Sequence, residues 1–176
     1  MLCLGGSIWR RFGSGRRAIA GQNMMEIKQG LVETPQVGAL LGEHLEDMKA
    51  QSPPGSVHAL DVSGLLVAEV TFLTAWKDDV LLGCGALKRL DQTHGELKSM
   101  RTATAHRRKG VAAILLEALV AVARDKGVTR LSLETGTPAA FDAARAFYAK
   151  YGFEACGAFA DYPANDPYST FMTREI

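Results

Sequence analysis

From residue 25 onward the chain falls into short stretches of alternating apolar and polar residues, broken by runs with a helical repeat. Met25–Gln29 alternates and predicts a first strand. Thr34-Pro35 then offers a helix-capping residue followed by a proline, whose fixed φ suits a first helical turn. Val37, Leu40, Leu41, His44, Leu45 and Met48 follow at helical spacing, which predicts a helix near 35–50. Ser52-Pro53-Pro54-Gly55 ends it, and His58–Gly64 has room for one helical turn. Glu69–Trp76, Val80–Leu87 and Glu96–Thr102 read as strands, separated by turns at Lys77-Asp78-Asp79 and Asp91–Gly95. Together they predict an antiparallel meander. Val111, Ile114, Leu115, Ala118, Leu119 and Val122 mark a helix that stops before Gly127. Thr129–Glu134 is a short apolar strand, and Ala139–Tyr151 is a further helix ending at Gly152. Phe153–Ala160 and Ser169–Thr173 are expected to close the sheet as a hairpin.

The order is β, α, three antiparallel strands, α, β, α, then two strands, which predicts an α+β fold. The 176 residues suffice for one domain with a full core. Residues 1–23 stand apart. They are rich in Gly, Arg and Ser and contain no acid, as transit peptides do. They are read as a disordered extension or a misassigned start, which leaves 24–176 as a single domain. No stretch reaches the ~20 apolar residues of a membrane span.

Charge narrows the function classes. The net charge of +1 hides four arginines in the first 25 residues. The remaining 151 residues carry 16 basic and 19 acidic side chains, a poor balance for nucleic-acid binding. Three cysteines, Cys3, Cys84 and Cys156, form no CxxC pair and read as reduced thiols of a cytoplasmic protein. The four histidines show no metal-ligand spacing, so no metal is expected.

The densest local signal is His106-Arg107-Arg108-Lys109-Gly110-Val111-Ala112, at the start of a helical pattern. Helix N-termini carry partial positive charge and favour acids, yet four consecutive basic or potentially basic side chains stand here. An anion at that position would account for them. Gly110 and Ala112 are small enough to let backbone N–H groups approach it closely. A solvated basic turn is the alternative on these residues alone.

Three segments line up: Gly95-Glu96-Leu97-Lys98-Ser99-Met100-Arg101-Thr102, then Arg107-x-x-Gly110-x-Ala112, then Ala144-x-x-Phe147-Tyr148-x-x-Tyr151-Gly152-Phe153. In this order they resemble the GCN5-related N-acetyltransferase (GNAT) superfamily, over residues 25–176, which implies a mixed, mainly antiparallel sheet with helices on both faces. Ser132–Gly136 and the ending Asp161-Tyr162…Pro167-Tyr168-Ser169…Phe171-Met172 are similar to a bacterial branch acting on small molecules. The resemblance implies acetyl-CoA as cosubstrate and acetyl transfer to an amine by direct attack in a ternary complex. It assigns the pyrophosphate to Arg107, Arg108, Lys109, Gly110, Val111 and Ala112. It assigns the pantetheine arm to the backbone of Met100, Arg101 and Thr102, held like an added strand.

Glu96 lies eleven positions before Arg107, the offset of a catalytic glutamate in protein-acetylating members. As a bare residue it reads as a charged residue at the start of a half-exposed strand. The chemistry needs a base, because an alkyl ammonium of pKa ~10.4 is only about one part in a thousand neutral near pH 7.4. Tyr148 falls where the family places a tyrosine near the coenzyme sulfur; otherwise it is a core-packing helix residue. A phenol at pKa ~10 is a weaker acid than a thiol at ~8.5, so a hydrogen bond to the leaving sulfur is the role expected of it. Many members carry Asn seven positions earlier to contact the pantetheine; here that position is Phe141, whose ring would pack on the coenzyme arm or the substrate instead. His58 and Asp61 sit in a segment that commonly shapes the acceptor pocket, and read equally as a surface turn. The rival readings are a non-catalytic acyl-CoA-binding module and an acetyltransferase of protein lysines or N-termini. The expected partner is a small-molecule amine, with a homodimer left open and no nucleic acid or membrane.

Overall fold

A computed structural model describes residues 24–53, 56, 58 and 60–176. Residues 1–23 and Ala59, within the turn expected at 58–64, lie outside the described residues. The elements are β1 (Glu26–Gln29), α1 (Pro35–Gln51), α2 (Val62–Leu65), β2 (Val70–Lys77), β3 (Val80–Arg89), β4 (His94–Thr102), α3 (Val111–Asp125), β5 (Arg130–Gly136), α4 (Asp142–Lys150), β6 (Glu154–Cys156) and β7 (Ser169–Glu175). One seven-stranded sheet runs in the order β1-β2-β3-β4-β5-β7-β6. All neighbours are antiparallel except β4 and β5, so the sheet is mixed as expected.

Each helix sits where its apolar stripe dictates. Val37, Leu40 and Leu41 turn α1 onto Phe72, Trp76, Cys84 and Ala86 on one face of the sheet. Val111, Leu115, Leu116, Leu119, Val120 and Ala123 bury α3 on the other face, against Leu87, Leu97, Leu131 and Leu133. Each fully buried leucine there contributes about 2 kcal/mol. Among the described residues no helix is long and apolar enough to cross a membrane.

Among the boundaries that differ from the sequence reading, three have a local reason. β4 starts two residues early, because the Asp91 carboxylate accepts from the Thr93 and His94 amides and draws His94 into register with Arg130. The helix expected over 139–151 begins with a separate 3-10 turn at Ala139–Phe141, and α4 proper starts at Asp142. β6 ends at Cys156 instead of reaching Ala160. Residues 157–168 leave the sheet, with Pro163 and Pro167 unable to donate to a ladder and Ala160 at φ +47°.

Two irregularities position the site. The parallel ladder between β4 and β5 covers only His94–Leu97 against Arg130–Leu133. Beyond it the two strands have no mutual pairs, and a gap opens. Inside β4, Cys84 of β3 opposes Arg101 and Ala86 opposes Lys98, so one β3 residue faces the pair Ser99-Met100. This is a β-bulge, with Ser99 at φ +52°. Met100 fits because Gly85 lies beneath it, where a Cβ would come 2.5 Å from the Met100 sulfur. The bulge reverses the facing of the strand. Before it, Leu97 points at α3 and Glu96 and Lys98 point away. After it, Met100 packs with the α3 cluster and Arg101 reaches α1.

Candidate active site

Two clefts lie near this gap, on opposite faces of the sheet. The α3-side cleft holds ≈ 520 Å³ and is walled by Met100–Thr102, Arg107, Arg108, the start of α3 and the inner side of α4. Its character comes from the start of α3. Gly110 occupies the N-cap at φ +83°, a left-handed conformation glycine adopts without strain. Among the described residues no side chain caps the helix, and its first turn holds no acid, so its leading amides face the cleft as uncommitted donors. Nothing lies within 4 Å of where a Cβ at Gly110 would stand. The site therefore presents N–H groups, a helix dipole and the side chains of Arg107 and Arg108 to one open volume, an arrangement that suits a phosphate group.

The predicted coenzyme residues divide. Met100, Arg101, Thr102, Arg107, Arg108, Gly110, Val111 and Ala112 all line this cleft. Lys109 does not; its ammonium donates to the Ala105 carbonyl at 2.9 Å and so braces the loop. Arg101 lines the cleft while its guanidinium is held at 2.6 Å by Asp47 of α1. That hydrogen bond, followed by the guanidinium charge, lowers the Asp47 pKa. Phe141 is absent from the lining: its ring lies against Gly136, and α4 is fastened nearby by Arg145 on the Gly136 carbonyl and Asp142.

Tyr148 reaches the same cleft from α4, 8% exposed, with Phe147 and Phe153 edge-on at 5.3 and 5.6 Å. Burial pushes its phenol well above the ordinary value. It is thereby an even poorer proton source than a free tyrosine and remains a hydrogen-bond donor.

The second cleft, ≈ 230 Å³, lies on the α1 side and is lined by His58, Lys88, Glu96, Lys98 and Ala160–Tyr162. Glu96 is 2% exposed. Its Oε1 accepts from Lys98 Nζ at 3.0 Å and from the Tyr162 hydroxyl, and Lys98 also donates to that hydroxyl at 2.6 Å. His58 joins here, with Nε2 3.6 Å from Asp166 Oδ2 and its ring edge-on to Tyr162 at 5.0 Å. Asp61 does not; its carboxylate caps α2, accepting from the Gly64 amide at 2.7 Å.

Sequence reasoning passed over Lys98 and Tyr162. Lys98 was within reach, since two positions along a strand share a face. Tyr162 comes from an irregular segment 66 residues away and carries no local signal. Cys84 is a buried core residue, its thiol pushed up to about 12 by burial. Among the described residues no group of three or more His, Cys, Asp or Glu could hold a metal ion.

The comparisons with known proteins agree with this geometry. The model of the acetyltransferase (GNAT) family matches residues 39–153. The chain is 49% identical over 152 residues to the N-acetyltransferase YsnE of Bacillus subtilis, covering 86% of this chain and all of that protein. It is 49% identical over 150 residues to the N-acetyltransferase YedL of Escherichia coli, covering 85% and 94%. The fold superposes with a TM-score of 0.64 on a GNAT acetyltransferase of Elizabethkingia anophelis solved with acetyl-CoA bound, at 19% identity, covering 88% of this chain and all of that one. The unpaired strand gap, the uncapped glycine-led helix and these relatives place the chain in the GNAT family, as an N-acetyltransferase.

Proposed function

We propose that this enzyme transfers acetyl from acetyl-CoA to the amine of a small molecule by direct attack in a ternary complex. The observation that carries the reading is the gap after Leu97 and Leu133, which opens beside the uncapped start of α3 on one face and beside Glu96 on the other. Acetyl-CoA suits the α3-side cleft on this chain's own features. The leading amides of α3 and the side chains of Arg107 and Arg108 would hold its pyrophosphate, and the unpaired backbone of Met100–Thr102 would hold its amide-bearing arm. When bound, it supplies a thioester whose C–S bond breaks as the acceptor nitrogen forms the new C–N bond. Glu96 takes the proton the amine must lose, and Tyr148 donates a hydrogen bond to the departing sulfur. The acceptor enters from the α1 side, where His58 and the 160–162 turn leave only a small nook, a size that favours a compact amine over a protein chain.

The test is a screen of amino acids, polyamines and arylalkylamines with acetyl-CoA, following release of free thiol. Turnover with at least one compact amine is expected. Turnover with peptide amines only, or acetyl-CoA bound with every amine inert, would overturn the reading.

A further inference from the structure

We infer that Tyr162 is a positioning residue for the acetyl transfer: it clamps the Glu96 carboxylate, together with Lys98, in the orientation that receives the acceptor's proton. The inference rests on the reading of Glu96 as the base and adds what makes that base usable.

Glu96 has little freedom and two tethers. One carboxylate oxygen, Oε1, takes both the Lys98 ammonium and the Tyr162 hydroxyl. No hydrogen bond to Oε2 is seen among the described residues, so that oxygen is left for the incoming amine. A carboxylate fixed through one oxygen and free at the other suits directed proton transfer.

Tyr162 is itself firmly held. Its ring meets His58, Phe159 and Phe171 edge-on at 5.0, 5.2 and 5.3 Å, and the Lys98 ammonium lies 5.2 Å from its centroid. Its amide donates to the Phe159 carbonyl at 3.2 Å, closing a turn that forces Ala160 to φ +47°. A left-handed alanine is unfavourable and persists where the surroundings over-determine it. Burial and the Glu96 charge push the phenol well up, so it stays a protonated donor throughout the working range. Tyr162 also lines the acceptor cleft, so the segment bounding the pocket carries the tether of the base.

A purely structural aromatic would lose nothing by losing its hydroxyl, and this distinction makes the test. Four proteins are compared: wild type, Tyr162→Phe, Glu96→Gln and the double variant. Each is assayed with acetyl-CoA and the best amine of the panel above and, with no amine added, for hydrolysis by water. Urea unfolding of the same four reads the contact independently of activity.

Tyr162→Phe is expected to lower kcat about tenfold, the scale of one hydrogen bond to a charged group, with KM for acetyl-CoA unchanged. In the Glu96→Gln background the same change should cost less than about twofold, because residues acting as a unit are non-additive. The urea cycle should show the two sites coupled. An equal loss in both backgrounds, a Tyr162→Phe rate within twofold of wild type, or additive unfolding energies would overturn the inference. Glu96→Gln alone within twofold of wild type would instead remove the base reading beneath it, whatever Tyr162→Phe does.

Discussion

The two faces of the sheet solve opposite problems with different materials. On the α3 side the chain offers backbone, uncommitted amides at Gly110–Ala113 and unpaired strand edge at Met100–Thr102, with the side chains of Arg107 and Arg108 beside it. On the α1 side it offers side chains, and these are committed mainly to one another: Glu96 to Lys98 and Tyr162, His58 to Asp166, Arg101 to Asp47. A coenzyme is the same in every turnover and can be recognised by fixed peptide groups. A proton acceptor must hold one geometry while substrates come and go, which calls for mutual restraint. The contrast implies that α3-side substitutions chiefly alter affinity, whereas α1-side substitutions chiefly alter rate or charge balance.

The largest expected break is at Glu96. Glu96→Gln should lower turnover by about 10²–10⁴-fold and leave CoA affinity by calorimetry unchanged. The loss should be greatest near pH 6 and shrink toward pH 9, as more amine arrives already neutral. A loss that does not vary with pH would show that the carboxylate acts only in binding.

Next in size is an acid effect beneath the α1-side charges. His44 of α1 has its Nδ1 buried without a hydrogen-bond partner. Burial first, then the Arg101 guanidinium, hold its pKa down at about 4 from 6.5, against the pull of Asp47. Above pH 6.5 the folded and unfolded chains both keep His44 neutral. As pH falls from 6.5 toward 4, the unfolded chain takes a proton the folded one refuses, and stability declines by up to ~3 kcal/mol. Urea midpoints should record this decline in wild type and a flatter course in His44→Gln; parallel curves would remove His44 from the account.

On the α3 side, Gly110→Val puts a β-branched residue at φ +83° and a side chain into space the helix start leaves open. CoA affinity should fall about tenfold or more, judging from the cost of a left-handed non-glycine residue alone. Unchanged affinity would mean the ligand does not approach these amides. The smallest effect expected is that of Tyr148→Phe. It should lower kcat by about tenfold or less, through one hydrogen bond, and spare CoA binding, since the ring stays packed between Phe147 and Phe153. Tyr148 would then be the α3-side residue that acts on rate; a matching loss of CoA affinity would make it a binding residue like the rest of its cleft and sharpen the contrast between the faces.

How far each face could be read from sequence follows from the same contrast. The α3-side cleft is built from contiguous residues, so the basic run, Gly110 and the apolar repeat of α3 announced it together. Thr34-Pro35 marked the start of α1 for the same local reason. The α1-side network joins β4 to a turn more than sixty residues later, and no local pattern encodes such a meeting. Glu96 was found through its offset from the loop, without its partners. Asp61 carried a legible signal that was given the wrong weight: an acid three positions before Gly64 is also a helix cap, which is the role it plays. Phe141 was legible as a departure from the family, but where its ring packs depends on the 3-10 turn before α4.

The bulge at Ser99-Met100 has a consequence for how such an enzyme can change. It reverses the parity of β4 midway, so even-numbered residues serve the acceptor before it and the coenzyme after it. Substitutions at 96 and 98 can retune the chemistry offered to an acceptor without passing through the coenzyme's binding surface. A single-residue deletion at the bulge would leave one regular strand in which every residue keeps its face, because Lys98 opposite Ala86 and Arg101 opposite Cys84 already share the α1 side. The strand could thus lose its extra residue without exchanging the donor and acceptor surfaces.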